Sequence, residues 1–132
     1  MTLADLVTRA LRLAGVVGNN RAASSEEMNE GISTLNEMIA SWALDGMDLG
    51  LAEMVLGEDV LVDDAYIKGL RYNLAVELAN EHGIAAELPA YVVQSAEDQK
   101  DKIRAALIDV DNLRIDDALI GRRYSFNHTT GQ

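Results

Sequence analysis

Glu77 and Glu81 stand four residues apart, a spacing that sets both carboxylates on one face of a helix, and His82 follows directly. Two carboxylates and an imidazole are ligand types for a divalent cation. This is the strongest chemistry in the sequence, and it is thin. The other histidine is His128; neither lies in H-E-x-x-H, and there is no Glu-x-x-His pair of the di-iron bundle kind. A solvated helix end closed by a capping histidine accounts for the same three residues and is the preferred reading. There is no cysteine, so disulfides and thiolate metal sites are excluded, in keeping with a reducing compartment. No G-x-S-x-G elbow, P-loop or dinucleotide fingerprint is present. Met28, Met38, Met47 and Met54 suit core filling better than a cofactor box. No catalytic, cofactor-binding or metal-binding residue is therefore assigned, and the chain is not expected to be an enzyme.

The elements that would position these side chains are helices. One proline in 132 residues and few aromatics favour them, and a chain of this length forms one domain. The first helix opens at Thr2, with Asp5 in the capping-box position, and stops at Gly15. The second is capped by Ser24, with Glu27 three residues on; Met28, Ile32, Leu35, Ile39 and Trp42 follow at helical spacing as far as Gly46. The third is capped by Asp63 or Asp64, carries Ile67, Leu70, Leu74 and Leu78, and ends at Gly83; Gly69 within it marks a close helix crossing. The fourth starts near Pro89, shows Val92, Ala96, Gln99, Ile103, Leu107 and Val110 on one face, and is expected to stop near Asn112. The expected architecture is mainly α, a small bundle of about four helices. Its core residues are Leu6, Leu35, Ile39, Trp42, Leu70, Leu74, Leu78, Ile103 and Leu107. Residues 47–62 form either a long acidic loop or a short hairpin turning at Gly57-Glu58-Asp59. Residues 1–119 make the helical domain and 120–132 an extended C-terminal arm.

Two charged features stand out against this frame. Acids outnumber bases 22 to 11, a formal net charge of −11, which argues against wrapping on nucleic acid because duplex affinity comes from Lys and Arg on phosphates. From Asp45 to Asp64 there are seven acids and no Lys or Arg, either a solvated loop or a deliberate negative surface. The closing Ile120–Gln132 holds no acid at all. Its Arg122, Arg123, Tyr124 and Phe126 are residue types enriched at interface hot spots, and with no periodic apolar pattern it is expected to order only on a partner. Asp5, Arg9 and Arg12 interrupt the first apolar segment, so no signal peptide is read there and no membrane span anywhere. Synthesis in a cytoplasm is expected.

The segments "LVTRALRLAGVVG", "SSEEMNEGISTLNEMIASWALDGMDLG" and "LRYNLAVELANEHGI", in that order, resemble the head-to-tail adaptors of tailed bacteriophages, also called the packaged-DNA stabilisation or head-completion family. Members tend to open with a leucine-rich helix, continue with an acid-capped helix ending in Trp and an acid-glycine turn, and carry an "RYNLA" helix later. The resemblance covers about residues 3–110; Met47 to Val62 is shorter and more acidic than in many members. It implies a homo-oligomeric ring, usually of twelve copies, docked under the portal protein in the virion neck. A tail, stopper or nozzle protein lies below, genomic double-stranded DNA passes through the lumen without specific binding, and there is no catalysis. It also implies a C-terminal arm reaching into the portal, here Arg122, Arg123, Tyr124 and Phe126. Asp45, Asp48, Glu53, Glu58 and Asp59 would then face the lumen or the tail, repelling phosphate so that DNA slides. Two rivals stand beside this: an acidic regulatory or DNA-mimic module, monomeric or dimeric, and a small metal-dependent enzyme using Glu77, Glu81 and His82.

Overall fold

The computed structural model describes the backbone of residues 1–126 and the side chains of residues 1–108. It is mainly helical: α1 Leu3–Ala14, α2 Ser25–Leu44, α3 Asp64–Glu81, a single 3₁₀ turn Ala85–Glu87, and α4 Ala90–Phe126. Local chemistry sets most of the boundaries. The Thr2 hydroxyl accepts from the Asp5 N–H at 3.1 Å. Ser24 and Glu27 make a reciprocal capping box, at 3.1 and 2.9 Å. α1 ends at Gly15, whose φ of 84° lets the chain reverse so that the N–H groups of Val16 and Val17 reach back to the Leu11 carbonyl. Asp63 sits at the N-cap of α3 without a side-chain cap bond.

α3 is the centre of the bundle, packed against α1, α2 and α4. Its buried residues therefore form more than one stripe: Ile67, Leu70, Leu74 and Leu78 are joined by Gly69, Ala75 and Ala79. The small residues let neighbours approach closely. A Cβ on Gly69 would stand 2.5 Å from Ile103 Cδ1, and a Cβ on Gly31 of α2 would overlap Val7 Cγ1 of α1. α4 runs antiparallel to α3: the Asn73 amide donates to the Ala96 carbonyl at 2.9 Å, and Gly69 lies against Gln99 and Ile103. Leu6, Leu35, Leu70, Leu74 and Leu78 are wholly buried, with Ile39, Trp42 and Ile103 nearly so; Leu107 is partly buried against this cluster.

Two sequence expectations change. α4 passes Asn112 and stays helical to Phe126. Nothing between the two points forces a stop: there is no proline, and one internal glycine, Gly121, costs only about 1 kcal/mol against alanine. The stretch 120–126 of the expected extended arm is therefore helical backbone, while residues 127–132 lie outside the described residues.

Residues 47–62 are a loop and not a hairpin; among the described residues there is no strand, only an isolated antiparallel bridge between Thr2 and Asp59. The reason is that the loop's backbone groups are taken elsewhere. The Asn36 side chain of α2 holds both the Met54 N–H and the Met54 carbonyl, at 3.0 and 2.9 Å. The Leu3 N–H donates to the Glu58 carbonyl, and the Val60 N–H to the Met1 carbonyl, each at 3.0 Å. No helix of the described residues is long and apolar enough to cross a membrane.

Candidate interaction surfaces

The first surface is the loop from Met47 to Val62. Met47, Met54 and Val60 are its buried anchors. Between them the chain is folded by its own acids. Asp48 Oδ1 accepts from the Gly50 N–H at 2.8 Å, and Glu58 Oε1 accepts from the Val55 N–H at 2.6 Å. Val55 to Glu58 is a tight turn with a 3.2 Å Glu58 N–H to Val55 carbonyl bond, and Gly57 at φ 98° supplies the positive φ its third position needs. Asp45, Asp48, Glu53, Glu58 and Asp59 are all exposed. So are aliphatic side chains: Val55 at 57%, Leu56 at 59% and Leu61 at 82%, with Leu44 at 90% at the end of α2. Val55, Leu56 and Leu61 stand in water in the same turn as Glu58 and Asp59, while Leu44 lies at the opposite end of α2.

The second surface is a groove between α1, α3 and the start of α4, lined by Arg9, Arg12, Leu13, Arg71, Tyr72 and Tyr91, with Asn19 at its edge. It contains no acid. Arg71 and Lys68 stand over the Tyr72 ring at 5.2 and 5.6 Å, and Tyr91 is 62% exposed. Sequence reasoning missed this groove. Arg9 and Arg12 sit three apart on the polar side of α1, but nothing local says that Arg71, Tyr72 and Tyr91 come beside them.

Of the remaining candidates, Glu77 and Glu81 line one cavity with Glu37 and Lys100, while His82 lies outside it. Glu81 accepts from the buried Thr34 hydroxyl at 2.8 Å, while the His82 Nε2 turns to Glu30 at 3.5 Å and His82 forms the C-cap of α3. Glu77 lies near Glu37 and Lys100. Among the described residues, no three His, Cys, Asp or Glu side chains converge as a metal would need. Trp42 is 4% exposed, with Lys100 over its ring at 5.5 Å. Arg122, Arg123, Tyr124 and Phe126 lie on helical backbone, and their side chains are outside the described set. One electrostatic feature is local to the start of α2: the Arg21 guanidinium grips Glu27 through two 2.9 Å bonds. With the Ser24 N–H, it holds the Glu27 carboxyl down at about 2, and the Glu27 carboxylate in turn raises Arg21 above its usual value.

The described residues form an α-helical body that carries an acidic–aliphatic loop and a basic–aromatic groove. The chain matches the model of the P22 tail accessory factor family over residues 1–130 and belongs to that family. It is thus a member of a phage tail-associated family, which points to a structural, virion-associated role. A search of curated proteins finds no match.

Proposed function

We propose that this protein is a structural component of the virion neck. It forms a ring, twelve-fold as the adaptor resemblance implies, that docks on the portal, extends the DNA channel and connects the filled head to the tail. The downstream face meets a tail, stopper or nozzle protein, and genomic DNA passes without specific binding. The protein is made in the host cytoplasm and resides in the virion. The observation that carries this reading is the family match, which spans nearly the whole chain and so includes the C-terminal segment. The charge supports it: Asp45 and Asp48, exposed at the end of α2, give a lumen or tail-facing surface that repels phosphate. A closed ring also needs two different faces on each copy, and the loop and the groove are two such faces.

The docking element in this reading is the C-terminal arm, through Arg122, Arg123, Tyr124 and Phe126. Deleting Gly121–Gln132 is expected to leave the circular dichroism of the helical body unchanged in form while abolishing co-sedimentation with purified portal. Unimpaired docking by the truncated chain contradicts the assignment. Arg122→Glu with Arg123→Glu is expected to weaken docking more than Tyr124→Ala or Phe126→Ala when the receiving portal surface is acidic.

A further inference from the structure

The groove and the loop are complementary in chemistry and turned to different sides of the molecule. On α1, Val7 is the residue that meets Gly31 of α2. Arg9 and Arg12 are two and five residues from Val7, so they point about 160° and 140° away from α2. Residues 48–54 of the loop, by contrast, lie along α2 beside Ala40 and Ala43 and are tied to it by the Asn36–Met54 bonds; the Val55–Leu61 turn follows at the other end of α2, with Leu56 beside Met28 and Asn29 and its backbone bonded to Met1 and Leu3. A single copy therefore carries its basic–aromatic groove on the flank of α1 that faces away from α2, the helix on which its acidic–aliphatic loop is laid.

The contents match in kind. The groove offers guanidinium groups from Arg9, Arg12 and Arg71, with Tyr72, Tyr91 and Leu13 for apolar contact. Among the described residues, the ion pairs are Arg21–Glu27, His82–Glu30 and Arg104–Asp101, so Arg9, Arg12 and Arg71 take part in none. The turn end of the loop offers Glu58 and Asp59 together with Val55, Leu56 and Leu61, all exposed. Its backbone is held from beneath by buried Met54 and Val60, so little ordering is needed on contact. Nucleic acid is the other anionic occupant such a groove could take, but a body of formal charge −11 repels it at long range.

We infer that the groove of Arg9, Arg12, Arg71, Tyr72 and Tyr91 in one copy receives the Val55–Leu61 turn of a second copy. Repeated around an axis, this is a head-to-tail contact between two unlike faces, the kind that closes into a ring. The inference rests on the ring reading and specifies the contact that makes it.

The test is a charge exchange in the full-length chain. The groove variant is Arg9→Glu with Arg71→Glu; the loop variant is Asp59→Arg with Leu61→Arg, two exposed positions of the turn itself. Glu58 is left intact because its carboxylate caps the Val55 N–H. Each variant alone places like charges in contact, and its self-association, measured by analytical ultracentrifugation, is expected to weaken about a hundredfold. An equimolar mixture restores attraction at every contact, native at one interface and exchanged at the next, and is expected to regain the assembled species. That regain also shows that both variants are folded. Assembly that ignores both exchanges, or a mixture that stays dissociated while both variants keep their helical circular dichroism, overturns the inference and leaves the ring reading standing. A wild-type chain that stays monomeric at all concentrations and beside purified portal overturns both. A fluorescent 20-base-pair duplex is titrated in parallel; duplex bound by wild type and lost in the groove variant, with assembly untouched, reassigns the groove to nucleic acid and also overturns the inference.

Discussion

The α1–α2 seam and the loop from Met47 to Val62 both lie against α2, and they use it in opposite ways. At the seam, Gly31 gives up its side chain so that Val7 can enter, and Ile32, Leu35 and Ile39 are buried. In the loop, one polar side chain, Asn36, holds the backbone of Met54; Met47, Met54 and Val60 are buried, while Val55, Leu56 and Leu61 stay exposed. The seam consumes its apolar surface within the chain. The loop leaves Val55, Leu56 and Leu61 exposed to solvent. Core burial and loop attachment are thus set on the same helix, in residues as close as Leu35 and Asn36.

The comparison can be broken most sharply at the seam. Gly31→Ala sets a methyl group into a stiff, β-branched neighbour on a helix, and is expected to destabilise the protein by about 1–3 kcal/mol in denaturant unfolding. Gly69→Ala is the control. There the clashing atom is the far end of Ile103, which can swing, and alanine is the better helix former by about 1 kcal/mol, so the net change is expected to stay within about 1 kcal/mol of zero. Equal, large losses at both positions contradict the distinction drawn between a stiff and a yielding contact.

At the loop, Asn36→Ala removes both ties to Met54. The expected cost is about 1 kcal/mol in global stability, since water can reach this half-buried site. Amide exchange is expected to accelerate at Met54 and Val55 far more than at Leu35. Uniform acceleration over α2 shows instead that the loop and helix open as one unit.

The smallest effect is at the start of α2. Glu27 is held at about 2, below its ordinary 4.5, chiefly by the Arg21 hydrogen bonds, so its contribution to stability is complete above pH 4.5 and fades as pH falls toward 2. Because both side chains are solvated, the change in unfolding midpoint is expected to be slight. The direct check is an NMR titration of the Glu27 carboxyl, which Arg21→Ala should move back toward 4.5. An unmoved titration assigns the depression to the Ser24 N–H and hydroxyl.

What was legible in the sequence was local. Thr2, Ser24–Glu27 and Gly15 act within a turn of their own positions, so residue type and spacing suffice to read them. The apolar stripes of α2 and α3 were legible for the same reason. The outcome for residues 47–62 was open because it turns on Asn36, 18 residues from Met54, outbidding any cross-strand partner. The end of α4 was misplaced near Asn112 because the apolar face was followed only as far as Val110, although no proline enforces a stop beyond it. The groove was invisible for a further reason: it exists only where α1, α3 and the start of α4 meet, and each contributes one to three residues that alone look like ordinary surface. The acidic loop, a run in one stretch of chain, was visible at once.

The central claim, a neck ring on the portal, is tested most directly by imaging the purified protein with its portal by electron cryomicroscopy. The account predicts a ring coaxial with the portal, its copies joined head to tail, with the C-terminal segments entering the portal and the α2-end carboxylates of Asp45 and Asp48 on the lumen or tail-facing side. A protein that remains monomeric beside the portal, or a ring carrying those carboxylates wholly on its outer rim, contradicts it.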